Sequence, residues 1–365
     1  MNDVKKIAIV TNSVFNFINY RLPLMEEFIK KGADVYVLLP DTGDQKHIAD
    51  ALNIKTVNWI VDRKSYNLLS FFHSYLQLKR IVKENNFDYL LSFTLKPVLY
   101  SCLLPKQKVL GTITGFGEMR KNRIIFRTIV TVLQLILRID REKLIVVQNS
   151  EDLRALENKF LLKRQQLNQT VGSGIIPKKI CKEFTGKKRI IWVGRSLKTK
   201  GIAQYNRFVD IVSREYPGKF EYFAFVKLDS AHQDSLTKDQ ILEYFGERIK
   251  TTWNVDNVEE LLPEYDMLFF HSDYYEGFPK VILEAINSKL YLIVNEFHGF
   301  DTLLEDGKNC VVLKTVDTEN ALRAVEKIIN LNVSEMCNME AEYERAISEI
   351  DVRNIAASYY KWMER

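Results

Sequence analysis

Short apolar runs alternate along the chain with longer segments of helical period. The runs over 7–10, 35–39, 89–92, 108–112 and 144–147 are mostly Val, Ile and Leu and lack a polar residue at every second position. Such runs read as strands covered on both faces, as in a parallel sheet. Between them, stretches such as 22–31 and 71–85 repeat apolar residues at three- and four-residue intervals and predict helices. After Gly186-Lys187-Lys188 the alternation restarts, with strands expected over 190–193, 222–226, 267–270, 291–294 and 310–313. Two successive sets of this kind predict two α/β, Rossmann-like domains. The joining stretch 172–187 holds Gly172, Gly174, Pro177 and Gly186 among lysines, which suits a linker. The expected organisation is a first domain over 1–175, a second over 176–345, and a final helix over 346–365 placed to pack back on the first.

Length agrees, since 365 residues exceed one ordinary core. A chain 46% hydrophobic and 27% charged is a globular one. Cys102, Cys181, Cys310 and Cys337 are too scattered for a metal knuckle or a redox pair, which points to a reducing cytoplasm. No two of the histidines at 47, 73, 232, 271 and 298 stand at zinc-ligand spacing, so no metal is expected. The N-terminus lacks a signal-peptide pattern, and no uninterrupted apolar run reaches membrane-spanning length. Neither a GxGxxG fingerprint nor a Walker lysine loop occurs, which argues against dinucleotide and P-loop chemistry.

Charge adds an asymmetry. Residues 1–180 carry 28 Lys and Arg against 16 Asp and Glu, while the remainder carries 24 against 31. The first half is therefore suited to something anionic: nucleic acid, a membrane surface or a diphosphate-bearing substrate. Nucleic acid fits least, because no aromatic-basic stacking platform accompanies the charge. Within this half, 121–143 forms a helix with one narrow polar stripe, Arg123, Arg127, Thr131, Gln134, Arg138 and Arg141. Apolar residues, Ile125 and Leu133 among them, fill the other roughly 240°. That is wider than one protein-facing stripe, so part of the arc is expected at an anionic membrane surface with arginines at the headgroups. Burial by protein on two sides, or a dimer face, is the alternative.

The densest chemistry lies over 271–285. A strand ends near Phe270, and a loop leads through Glu276-Gly277-Phe278-Pro279 into a helix bearing Glu284. Gly277 permits a close backbone approach. Pro279 suits a helix start, whose free N–H groups can bind phosphate or hydroxyl. Val281, Ile282, Ala285 and Ile286 share one face, and Glu284, about 60° from Val281, flanks it. Earlier, Gly194, Arg195 and Lys200 follow another strand. Two fixed cations there would stabilise the charge of a departing nucleoside diphosphate.

These stretches resemble the E-x7-E and Gly-Arg…Lys-Gly segments of glycosyltransferase family 4, retaining enzymes of the GT-B fold. The resemblance implies two Rossmann-like domains facing an interdomain cleft. It implies Glu276 at the donor sugar, Glu284 at the ribose, Arg195 and Lys200 at the diphosphate, and backbone donor contacts from Gly194, Gly277, Phe278 and Pro279. On the acceptor side, Leu91–Tyr100 with Thr94 and Lys96, the loop Thr114-Gly115-Phe116-Gly117, and Arg21 resemble O-antigen and capsule transferases of the same family. The sequence departs from the pattern in lacking paired glycines over Thr11–Val14 and an N-terminal histidine, and in having His298 and Cys310 where Pro and Gly are common. The resemblance further implies transfer of a hexose or N-acetylhexosamine, with UDP the commonest carrier and no other cofactor. The acceptor would be a polyprenyl-diphosphate-linked saccharide at the inner face of the cytoplasmic membrane, for lipopolysaccharide or capsule assembly. A sugar-nucleotide epimerase and a non-catalytic membrane scaffold are the competing readings; both leave oligomeric state open.

Overall fold

The computed structural model describes residues 4–40, 45–61, 68–116, 123–159, 162–180, 188–230, 232, 234–330 and 333–364. The chain divides into two compact units. One comprises 1–176, 276–278 and 350–365; the other comprises 177–275 and 279–349.

The first unit holds a seven-stranded parallel sheet: β1 (Lys6–Val10), β2 (Asp34–Leu39), β3 (Lys55–Asn58), β4 (Tyr89–Phe93), β5 (Lys108–Ile113), β6 (Lys143–Val147) and β7 (Leu167–Gln169). Their order is β3-β2-β1-β4-β5-β6-β7, with Ile7 beside Val35 on one side and Tyr89 on the other. The order reverses between β1 and β4, the switch point where ligands of such sheets collect. Five of these strands stand where the apolar runs predict them. The two others, β3 and β7, are short edge strands of polar sequence.

Each sheet face has its own core. One is filled by helices crossing over β4 and β5 and contains Val98, Val130, Leu133 and Leu137. The other contains Phe17, Leu24 and Phe28, together with Val352, Ile355, Ala356, Tyr359, Trp362 and Met363. The helix Val352–Met363 thus completes the first unit. Asp351 caps it through the Arg353 amide, and Ile175 bridges its entry by bonds to Ile350 and Val352. The Tyr359 hydroxyl bonds to Thr112 on β5, and the Tyr89 hydroxyl donates to the carbonyl of Met363. Large side chains buried in this way each contribute roughly 1.5–3 kcal/mol.

The second unit repeats the scheme with six parallel strands: β8 (Lys188–Arg195), β9 (Phe220–Lys227), β10 (Ile249–Trp253), β11 (Met267–Phe270), β12 (Tyr291–Val294) and β13 (Val311–Val312). Their order is β10-β9-β8-β11-β12-β13, so the switch point lies between β8 and β11. The core strands Ile190–Trp192, Met267–Phe270 and Tyr291–Val294 are buried along their lengths. Among the described residues, no helix is long and apolar enough to cross a membrane.

Candidate active site

The second unit assembles a cationic group at its switch point. β8 emerges from the core through Trp192 and Gly194 into Arg195. The chain then makes a short 3-10 turn, Lys198–Lys200, before the helix Ile202–Glu215. Gly201 closes this turn with φ of 81°, and a Cβ there would stand 1.9 Å from the carbonyl oxygen of His271, so only glycine fits. Trp192 Nε1 donates to the Lys200 carbonyl at 3.0 Å, and the Asp273 amide donates to that of Thr199 at 3.0 Å. Lys200 is thereby pinned beside the end of β11.

Arg195 Nη1 donates to Asp229 Oδ2 at 2.9 Å. The Arg195 guanidinium carbon and the Lys200 ammonium each lie 4.9 Å from the ring centroid of Tyr274. Burial of the ammonium, with Arg195 adding to it, pulls Lys200 down to about 7. Burial acts on Arg195 in the same sense, but Tyr274 and Asp229 more than offset it and its pKa rises. A buried ammonium in the field of a second cation is stabilised by an anion, and a diphosphate would provide one.

After β11, Ser272 and Asn295 clamp one another: the Ser272 amide donates to Asn295 Oδ1 at 3.0 Å, and Asn295 Nδ2 donates to the Ser272 carbonyl at 3.2 Å. His271 Nδ1 is buried without a hydrogen-bond partner, and burial lowers its pKa against the pull of Asp273. Pro279 is the N-cap of the helix Lys280–Asn287, one position ahead of the first helical residue. In that helix Val281 is only half-buried, while Leu283 and Glu284 are buried along with Ile282, Ala285 and Ile286. Glu284 therefore lies inside the buried surface rather than on its flank. Its carboxylate pairs with Lys280 Nζ at 2.9 Å; burial raises its pKa and Lys280 opposes the rise.

Three residues of the loop, Glu276, Gly277 and Phe278, belong to the first unit. The Gly277 amide donates to the Thr114 carbonyl at 3.0 Å, and Asn149 Nδ2 donates to the Gly277 carbonyl at 2.6 Å. A Cβ on Gly277 would stand 2.7 Å from the Thr114 carbonyl, and one on Gly115 would stand 2.5 Å from the Gly277 nitrogen. Of the two residues placed by resemblance at the acceptor, Thr114 thus has its carbonyl bonded by Gly277, and Gly115 is packed hard against it.

At the other switch point, between β1 and β4, Arg21 is 2% exposed. Its guanidinium carbon lies 4.1 Å from the Phe93 ring centroid, and its Nε has no hydrogen-bond partner. Burial pulls Arg21 down to about 10, with the phenols of Tyr359 and Tyr20 opposing. Beside Phe93, Thr94 adopts φ of 71°, rare for a side chain with a Cβ, and its buried Oγ1 is also unbonded. Backbone strain of this kind costs about 1–3 kcal/mol and clusters at functional sites. Lys96 is half-buried in the first turn of the helix Leu95–Cys102.

The helix Arg123–Ile139 differs from expectation in one respect. Leu133 is fully buried and packs with Val130 and Leu137, so it faces the sheet. The outward face instead carries Ile124 (78% exposed), Leu135 (53%) and Ile139 (86%), with Val132, Arg127 and Arg138. The side chains of Arg123 and Ile125 lie outside the described set. Among the described residues, no group of three His, Cys, Asp or Glu side chains is arranged to hold a metal.

Two participants escape sequence reading. Tyr274 lies within the 271–285 stretch but carries no motif signal, and Asp229 is marked only by standing just past the end of β9.

A family model described as "Glycosyl transferases group 1" matches residues 177–346, and one described as "Glycosyl transferase 4-like" matches residues 6–135. No curated protein matches the chain in sequence. Among solved structures, a glycosyltransferase from Rickettsia africae superposes with a TM-score of 0.74 at 13% identity, covering 99% of this chain and 98% of that one. HepE of Anabaena, in complex with UDP and glucose, superposes with a TM-score of 0.75 at 12% identity over 99% of each chain. TarM of S. aureus, whose crystals hold UDP and alpha-GlcNAc-glycerol, superposes with a TM-score of 0.74 at 11% identity over 99% of this chain and 100% of that one. With both halves matched by transferase models and both sheets laid out as in these structures, the chain is a glycosyltransferase of GT-B fold.

Proposed function

We propose that this glycosyltransferase takes its sugar, a hexose or N-acetylhexosamine, from a nucleoside diphosphate donor and delivers it, with retention, to a polyprenyl-diphosphate-linked saccharide in surface polysaccharide assembly. The observation that carries the donor half is the Arg195–Lys200 pair at the switch point of the second sheet. As the sugar–phosphate bond breaks, negative charge gathers on the leaving diphosphate, and these two cations offset it. Glu284 would bind the ribose, Glu276 the donor sugar, and the backbone of Gly194 and of 277–279 the remaining donor oxygens. HepE and TarM hold UDP in their structures, which makes UDP the first nucleotide to test.

Buried, unbonded Arg21 Nε and Thr94 Oγ1 support an anionic or hydroxyl-bearing acceptor at the first sheet, with Lys96 beside them. The outward Ile124, Leu135 and Ile139, flanked by Arg127 and Arg138, support a peripheral position on an anionic membrane. Thermal-shift titration with UDP-, GDP- and dTDP-sugars tests the donor assignment. A stabilising shift with one family of donors, lost in Arg195→Ala and Glu284→Ala, is the expected result. No shift with any of them would remove it.

A further inference from the structure

Tyr274 sits at the centre of the cationic group without being one of its charges. The Arg195 guanidinium carbon and the Lys200 ammonium stand at the same 4.9 Å from its ring centroid. Its phenol is also bonded to Arg195. The ring is held from its own backbone, where the Tyr274 amide donates to Ser272 Oγ at 3.3 Å, and from the side by the His232 ring, 6.1 Å away at 64°. Two like charges brought together in a partly buried site repel each other, and an attractive feature shared between them offsets that repulsion. The electron-rich face of an aromatic ring is such a feature, and it attracts a cation without neutralising it. Carboxylates would do the reverse: Asp229 binds Arg195 directly and competes with an incoming anion.

Resting on the donor reading above, we infer that Tyr274 is a positioning residue that holds Arg195 and Lys200 side by side on one ring, so that the pair favours two linked phosphoryl groups over one. A nucleoside diphosphate can meet both cations at once. A monophosphate meets one and leaves the other uncompensated. Without the ring the cations separate, and the advantage of the second phosphoryl group shrinks.

The test is calorimetric binding of UDP and UMP to the full chain and to its Tyr274→Leu and Tyr274→Phe variants. In Tyr274→Leu the ratio of UDP to UMP affinity is expected to fall about tenfold, the scale of losing a partly buried cation–π pair. Tyr274→Phe keeps the ring and is expected to keep the ratio within about threefold. A purely structural role would weaken both nucleotides alike and leave the ratio unchanged, and that result overturns the inference. Equal loss of the ratio in the Phe variant overturns it too, because the hydroxyl would then be the agent. If Tyr274→Leu does not fold, Tyr274→Met carries the same expectation. Failure of the parent chain to bind UDP, GDP, ADP or dTDP would instead overturn the donor reading, and this one with it.

Discussion

The amide of Gly277 and the carbonyl of Thr114 meet at 3.0 Å, with Gly115 beside them and no room for a Cβ on either glycine. The neighbour of Glu276 is therefore fixed by backbone rather than by side chains. Gly277→Ala must push Thr114 away or break the bond from Asn149. The expected cost is about 1–3 kcal/mol in denaturant unfolding, together with a loss of transferase activity. A variant of parental stability and activity would mean that the loop adjusts freely.

Removing either cation should weaken donor use more than it weakens folding. Arg195→Ala is expected to lower kcat/KM for the donor at least tenfold, on the order of losing one charge-stabilising group. Arg195→Lys should recover only part of this, because an ammonium cannot bond Asp229 and a phosphoryl group in the planar, forked manner of a guanidinium. Full recovery in Arg195→Lys would show that charge alone matters.

Lys200, held near 7, makes donor binding pH-dependent. Arg195 and Tyr274 stand beside it, Asp229 is bonded to Arg195, and the His232 ring lies against Tyr274; His271, whose carbonyl oxygen lies against Gly201, is itself lowered by burial. A diphosphate prefers the protonated lysine, so binding above pH 7 must take up a proton and is expected to weaken between pH 7 and 8.5. For folding the sign is opposite. The unfolded lysine keeps its proton up to its ordinary pKa near 10.5 while the folded one releases it near 7, so stability rises with pH across that window. UDP titrations at several pH values check the first statement, and Lys200→Met, which cannot titrate, should flatten the profile.

Leu133 and Leu135 stand two residues apart and face opposite ways. Leu135→Asp should leave the melting temperature nearly unchanged and reduce co-sedimentation with anionic vesicles. Leu133→Asp should unfold the first unit, since it buries an unpaired charge. Undiminished vesicle binding by Leu135→Asp and Ile139→Asp would remove this helix from the membrane assignment.

The helix Val352–Met363 should be as necessary to the first sheet as any helix within 1–176. Tyr359→Ala removes a fully buried ring and its bond to Thr112, with an expected cost of about 3–5 kcal/mol. Chemical denaturation measures it; a cost below about 1 kcal/mol would show the helix to be an ornament of the surface.

Central strands and the apolar edge strand β13 were legible in the sequence; the polar edge strands were not. β4, β5, β8, β11 and β12 are apolar because both their faces are covered, and a continuous apolar run announces that. β3, β7 and β10 are edge strands, Lys55–Asn58, Leu167–Gln169 and Ile249–Trp253, whose interspersed polar residues form no continuous apolar run. Arg195 and Lys200 were named through their resemblance to a strand–Gly-Arg–loop–Lys-Gly segment, and the structure brings both to the Tyr274 ring. Tyr274 was not, because a ring that organises charges has no sequence mark distinguishing it from the neighbouring Tyr275. Leu133 was misplaced because a helix apolar over most of its circumference does not reveal which side meets the sheet.

The path of the chain through the first unit has a consequence for how the protein is made. Tyr89 and Met363, joined by a hydrogen bond, are 274 positions apart. On a ribosome, the sheet β1–β7 is complete long before the helix that covers one of its faces has been synthesised. At about 5–20 residues per second, translating 177–349 leaves that face bare for roughly 10–35 s. During that interval Phe17, Phe28 and Phe93 have no permanent cover, whereas the second unit, nearly contiguous in sequence, can close as it emerges. Order of synthesis and order of completion are thus reversed: the half of the enzyme that is begun first is the one finished last.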